Sequence, residues 1–153
     1  GVLYLIAALA GANDPTPKGG GWIRRHADVG LTARDVLGRP DGIIVAVNPA
    51  TCAFTRSLAR QIDSVAAVTR KATVVLFFGI PAEPEYQEQL RRDLGLLAAS
   101  RVVGRQWLRT ELGLAGDEGP SLLVLRHGAV AAVAYASMLQ NVAQWLPALL
   151  NAS

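Results

Sequence analysis

The sequence predicts an α/β domain, a sheet covered by helices. From Ile43 onward, short apolar runs alternate with longer segments of helical period, which is the pattern of strands wrapped by helices. Two of those runs, Ile43 to Val47 and Val74 to Phe78, are continuous and rich in β-branched or aromatic residues, as suits strands buried on both faces. The chain has 153 residues, 51% of them hydrophobic and 18% charged, so it holds one ordinary domain with enough apolar material for a core and is not disordered over most of its length.

Each element has its own signal. Ile43-Ile44-Val45-Ala46-Val47, bounded by Asp41-Gly42 and Asn48-Pro49, is the candidate central strand. Phe54, Leu58, Ile62, Val65 and Val68 recur at helical spacing, with Arg56, Arg60 and Asp63 on other faces. An amphipathic helix is therefore expected from about Cys52 to Arg70, capped by Thr51 or by Asn48 a turn earlier. Val74 to Phe78 repeats the buried-strand pattern and ends at Gly79. Pro81 and Pro84 then mark a loop, and Glu85 to Leu97 reads as a helix with acid at its start and Arg91-Arg92 later, as the helix dipole favours. Arg101 to Val103 is a short strand and Arg105 to Leu114 a short helix. Ser121 to Leu125 and Val130 to Tyr135 form a hairpin about His127-Gly128. Met138, Val142, Trp145, Leu146 and Leu149 make a final helix that Pro147 is expected to bend or fray.

The amino-terminal residues differ in kind. Val2 to Ala12 is apolar throughout but too short to span a bilayer by itself, and its Ala10-Gly11-Ala12 ending resembles a signal-peptide cleavage region. A buried element packed on the domain and a membrane-anchor remnant are both compatible with it. Asn13 to Gly21, with two prolines and three consecutive glycines, has the composition of a linker and favours the remnant. The expected division is an apolar stub at 1–12 able to contact a membrane, a linker at 13–29 and the folded domain at 30–153. Trp22-Ile23-Arg24-Arg25 would suit a membrane interface or simply the start of the domain.

Composition also excludes functions. The 15 basic residues against 12 acidic ones give a net charge of +3, and they are scattered, so no nucleic-acid footprint is present. One cysteine excludes an internal disulfide, a Cys-based zinc site and any dithiol pair made within this chain. Gly19-Gly20-Gly21 lacks the strand before it and the Lys-Ser/Thr after it that a phosphate cradle needs, Ser57 and Ser121 lack a nucleophile-elbow context, and neither His26 nor His127 lies near a ligand-type cluster in sequence. No cofactor and no metal are expected.

Several short motifs carry a family resemblance. They are Leu37-Gly38-Arg39-Pro40 before the first core strand, Asn48-Pro49-Ala50-Thr51-Cys52-Ala53-Phe54-Thr55 after it, Gly119-Pro120-Ser121 ahead of the later strand, and Arg126-His127-Gly128-Ala129-Val130 at the hairpin. With the element order, and with the extra helix and strand between Gly79 and Gly119, they resemble the thioredoxin-like fold over about residues 30 to 150. Within it the chain looks like the membrane-anchored extracytoplasmic group typified by TlpA. The resemblance implies a three-layer sandwich, a central mixed sheet flanked by helices. It also implies an active-site Cys52, a cis Pro120 packed against it, and a substrate chain bound along Gly119 and Pro120.

The departure from that pattern matters for chemistry. Where the family carries a second cysteine three residues after the first, this sequence has Thr55. A cysteine at a helix N-terminus is favoured as thiolate, and Thr55 could offer its hydroxyl to the sulfur. Such a monothiol can form a mixed disulfide but needs an external thiol to be released. A free cysteine is also commonly just a small buried residue. Two readings follow. One is a module that has lost dithiol chemistry and binds protein partners, as an accessory subunit of a membrane assembly outside the cytoplasm. The other is a monothiol thiol-disulfide oxidoreductase using Cys52.

Overall fold

The structure is a computed structural model that describes residues 26–114 and 119–151. The elements are α1 (His26–Leu37), β1 (Gly42–Val47), α2 (Thr55–Thr69), β2 (Ala72–Phe77), α3 (Pro84–Leu94), β3 (Ala99–Val102) and α4 (Arg105–Trp107), which runs on into a π-helical turn (Leu108–Leu112). After these come β4 (Ser121–Arg126), β5 (Ala129–Tyr135), a 3-10 turn (Ala136–Leu139) and α5 (Val142–Asn151).

The strands form one five-stranded sheet in the order β3-β2-β1-β4-β5. β1 pairs in parallel with β2 (Ile44 opposite Val74) and antiparallel with β4 (Ile44 opposite Leu123), so the sheet is mixed about its centre. All six residues of β1 are buried. Because successive side chains point to opposite faces, Ile43, Val45 and Val47 enter one core with Leu58, Ile62 and Val65 of α2 and Val142 and Leu146 of α5. Ile44 and Ala46 enter the other, with Val29, Ala33 and Val36 of α1 and the π-turn's Leu108 and Leu112. The result is helices, sheet, helices, in three layers.

α1 falls outside the expected pattern. Its buried residues Val29, Ala33, Val36 and Leu37 have helical spacing and lie against the sheet, so the fold already includes residues 26–29, which composition assigned to the linker. At Gly30 the helix passes so close to the hairpin that an added Cβ would sit 2.8 Å from the Gly128 carbonyl oxygen. The apolar stub, the rest of the linker and Trp22 to Arg25 lie outside the described residues.

Helix ends are set by local geometry. α2 closes at Arg70, whose φ of 58° is left-handed, with its N–H on the Ala66 carbonyl. α3 begins at Pro84, where a missing N–H costs nothing, and ends at Gly95 rather than at Leu97. There the Gly95 N–H donates to the Arg92 carbonyl (3.1 Å) and the Leu96 N–H to that of Arg91 (3.1 Å), the paired bonds of a Schellman ending. α5 continues through Pro147. His127 and Gly128 both have positive φ (53° and 76°), the geometry of a two-residue hairpin turn matched to strand twist. β5 carries one extra residue, Ala131, between the pairs Val124–Ala132 and Leu125–Val130.

Candidate functional site

The segment that leaves β1 does not pass directly into a helix. α2 starts at Thr55 with Phe54 as its N-cap residue and no side-chain capping bond, so Cys52 lies outside the helix, three residues before its first member. The expected helix start at Cys52 is therefore corrected. The reason is that Asn48 and Thr51, read from sequence as caps, build a turn of their own. Asn48, 2% exposed, accepts the Ala50 N–H on its Oδ1 (3.0 Å). Its carbonyl accepts the N–H groups of Cys52 (3.0 Å) and Thr51 (3.2 Å). This side chain–backbone turn is the alternative that Asn readily offers to helical continuation.

Cys52 is free and half-buried, and it packs against the core shared by α2 and α5. Thr55, 6% exposed, donates its hydroxyl to the Cys52 carbonyl (2.9 Å), and its N–H approaches the same oxygen (3.4 Å). The expectation that Thr55 serves the sulfur is corrected accordingly. A buried hydroxyl takes the strongest acceptor within reach, and here that is the backbone carbonyl.

Gly119 and Pro120 stand at the same end of the sheet. Ser121 pairs with Ala46, so Pro120, the residue before Ser121, stands at the end of the sheet where β1 runs on through Val47 to Asn48. Pro120 is buried and its carbonyl accepts the Ala136 N–H (2.9 Å). The Gly119–Pro120 peptide is trans, since no cis bond occurs among the described residues, and this corrects the geometry that the family resemblance implied. An X-Pro bond has only a small intrinsic preference, so its surroundings decide.

A residue cluster that the sequence reading did not assemble completes this end. Beyond β2, Gly79 has φ of 75°, and a Cβ there would collide with Asn48 Nδ2, lie 3.0 Å from Asn48 Cγ and 2.9 Å from Arg105 Nη2. The Arg105 guanidinium lies 5.7 Å from the centre of the Phe78 ring. Asn48, Gly79 and Arg105 are thus brought together from the ends of β1 and β2 and the start of α4. The turn signals Asn48-Pro49 and Phe78-Gly79 were visible in the sequence, but their meeting depends on β1 and β2 being adjacent and in parallel register.

No family model and no curated protein match the chain in sequence. Among solved structures the chain is similar to a secreted Mycobacterium tuberculosis disulfide oxidoreductase homologous to E. coli DsbE. The TM-score is 0.57 at 13% identity, and the match covers 76% of this chain and 83% of that one. The fold is thioredoxin-like. In that fold the Cys52 turn leaves the C-terminal end of the central strand, and its chemical content is small. A thiolate at Cys52 could attack a disulfide, but this thioredoxin-like chain has no second cysteine to resolve the product. Among the described residues, no group of three or more His, Cys, Asp or Glu could hold a metal, and no helix is long and apolar enough to cross a membrane. His127, in the hairpin turn, is exposed.

Proposed function

We propose that the chain is a thioredoxin-like binding module without internal dithiol chemistry, which engages a protein partner at the Cys52 end of its sheet. The observation that carries this reading is Thr55. It occupies the place three residues after Cys52 where dithiol chemistry needs a second thiol, and its hydroxyl is committed to the Cys52 carbonyl at 2.9 Å. An extracytoplasmic setting is supported by the secreted structural neighbour. Tethering to a membrane, as in the TlpA-like group, is supported by the apolar composition of Val2 to Ala12 and the Pro- and Gly-rich stretch after it.

The competing monothiol reaction is well defined. The Cys52 thiolate would attack one sulfur of a partner disulfide, forming a mixed disulfide and expelling the other sulfur as thiolate. A free thiol such as glutathione would then attack the mixed disulfide to release Cys52. Turnover of a small disulfide substrate with glutathione, and of insulin disulfides with dithiothreitol, separates the readings. No rate above buffer is expected, with no change on Cys52→Ser. Glutathione-dependent turnover abolished by Cys52→Ser would overturn the binding-module reading in favour of the monothiol enzyme. Crosslinking in detergent extracts should show wild type and Cys52→Ser retaining the same partner.

A further inference from the structure

We infer that Asn48 is the positioning residue of the Cys52 turn, and that it is held in place from the neighbouring strand by the bare backbone of Gly79. This rests on the binding-module reading, because the turn is the surface that a partner would meet. Asn48 satisfies three successive N–H groups of the turn, Ala50 through its side chain and Thr51 and Cys52 through its carbonyl. Of these, the side-chain bond to Ala50 holds only while the Asn48 rotamer is fixed, and it closes the turn whose other two N–H groups rest on the backbone carbonyl. Gly79 leaves the amide its space: a Cβ at that position would collide with Asn48 Nδ2 and lie 3.0 Å from its Cγ. Gly79 is exposed, so core packing is not what requires a glycine there. The conformation of the turn after β1 is therefore set in part by a residue 27 positions beyond Cys52, at the end of β2.

The test needs no partner, so its failure is distinguishable from failure of the binding-module reading, which the wild-type turnover assay decides. Native-state amide exchange at Ala50, Thr51 and Cys52 and the rate of Cys52 alkylation by iodoacetamide report opening of the turn. Both should rise about tenfold in Asn48→Ala, the local cost of a lost buried hydrogen bond. Asn48→Ser should restore part of the protection, since a Ser hydroxyl makes the same short-range turn more weakly. Gly79→Ala should reproduce the Asn48→Ala effect from the other strand. Gly95→Ala is the control, because Gly95 also has positive φ (64°) but nothing lies within 4 Å of an added Cβ. It carries the same kind of backbone strain and should leave Cys52 alkylation unchanged. Turn exchange in Gly79→Ala no faster than in Gly95→Ala would overturn the inference, as would unchanged protection in Asn48→Ala. If Asn48→Ala fails to fold, the contrast between Gly79→Ala and Gly95→Ala still decides.

Discussion

α2 and α3 are both amphipathic, and both pack on the same side of the sheet, yet they are held in different ways. α2 buries Thr55, Leu58, Ala59, Ile62 and Val65, and its side chains reach beyond their own layer. Gln61 accepts the Ala143 N–H near the start of α5 (2.9 Å) and donates to the Gln140 carbonyl (2.8 Å), so a residue on one helix caps another. Asp63 accepts the N–H groups of Leu97 (2.9 Å) and Ala98 (3.0 Å) and so ties the segment leading into β3. α3 buries no residue fully. It is attached by half-buried Leu90 and Leu94 and by Arg56, which donates to the Asp93 carbonyl (2.6 Å). Good caps make a helix; burial anchors it. α3 has Pro84 at its start and a Schellman ending, but no side-chain capping bond and little burial.

Substitutions along the two helices should break this contrast or sharpen it. Ile62→Ala, at a site with 0% exposure, should cost about 3 kcal/mol in denaturant unfolding, within the usual range for a large-to-small change in a core. Asp63→Ala should cost about 1 to 3 kcal/mol, because two N–H groups lose their carboxylate. Gln61→Ala should cost about 1 to 2 kcal/mol and raise amide exchange at the start of α5 selectively. Leu94→Ala, half-buried, should cost about 1 kcal/mol. Tyr86→Ala, 44% exposed on α3, should stay within about 0.5 kcal/mol of wild type. A Leu94→Ala loss equal to that of Ile62→Ala would show that α3 is as firmly anchored as α2, and the contrast would fail.

The Cys52 end admits one further prediction. Thr55→Cys places a thiol three residues after Cys52, at a side chain already directed to the Cys52 backbone, and should form an internal disulfide detectable as loss of both free thiols. Turnover gained by that change would mean that the surface around Cys52 accepts a disulfide substrate, whereas a disulfide without turnover would mean that it does not.

Legibility in the sequence followed burial. β1 and β2 were readable within two residues because both faces are buried, which forces continuous apolar runs such as Ile43 to Val47. α2 was readable from its stripe, but its start was misplaced because nothing in the spacing of Phe54 and Leu58 says that Asn48 will spend its hydrogen bonds on a turn. α1 was missed although Val29, Ala33 and Val36 have helical period, since the Gly- and Pro-rich stretch before them dominated the composition. The trans bond at Pro120 and the meeting of Asn48 with Gly79 are tertiary facts. Each depends on neighbours brought near by the sheet, and no local pattern encodes them.

The contact between Gly30 and the hairpin turn gives the domain two poles. β4 is antiparallel to β1, so the turn at His127 and Gly128 lies at the end where Gly42 begins the central strand, and the Cys52 turn lies at the other. The Gly128 N–H donates to the Pro40 carbonyl (2.9 Å) and the His127 N–H to Asp41 Oδ1 (3.0 Å), which pins the hairpin turn to that lower pole. α1 passes this pole at Gly30, four residues after its start. An attachment made through the chain upstream of α1 would therefore hold the domain by its lower pole, about 20 Å of β1 away from the Cys52 turn. On the reading proposed above, the surface offered to a partner is thus the one opposite the point where α1 enters the domain.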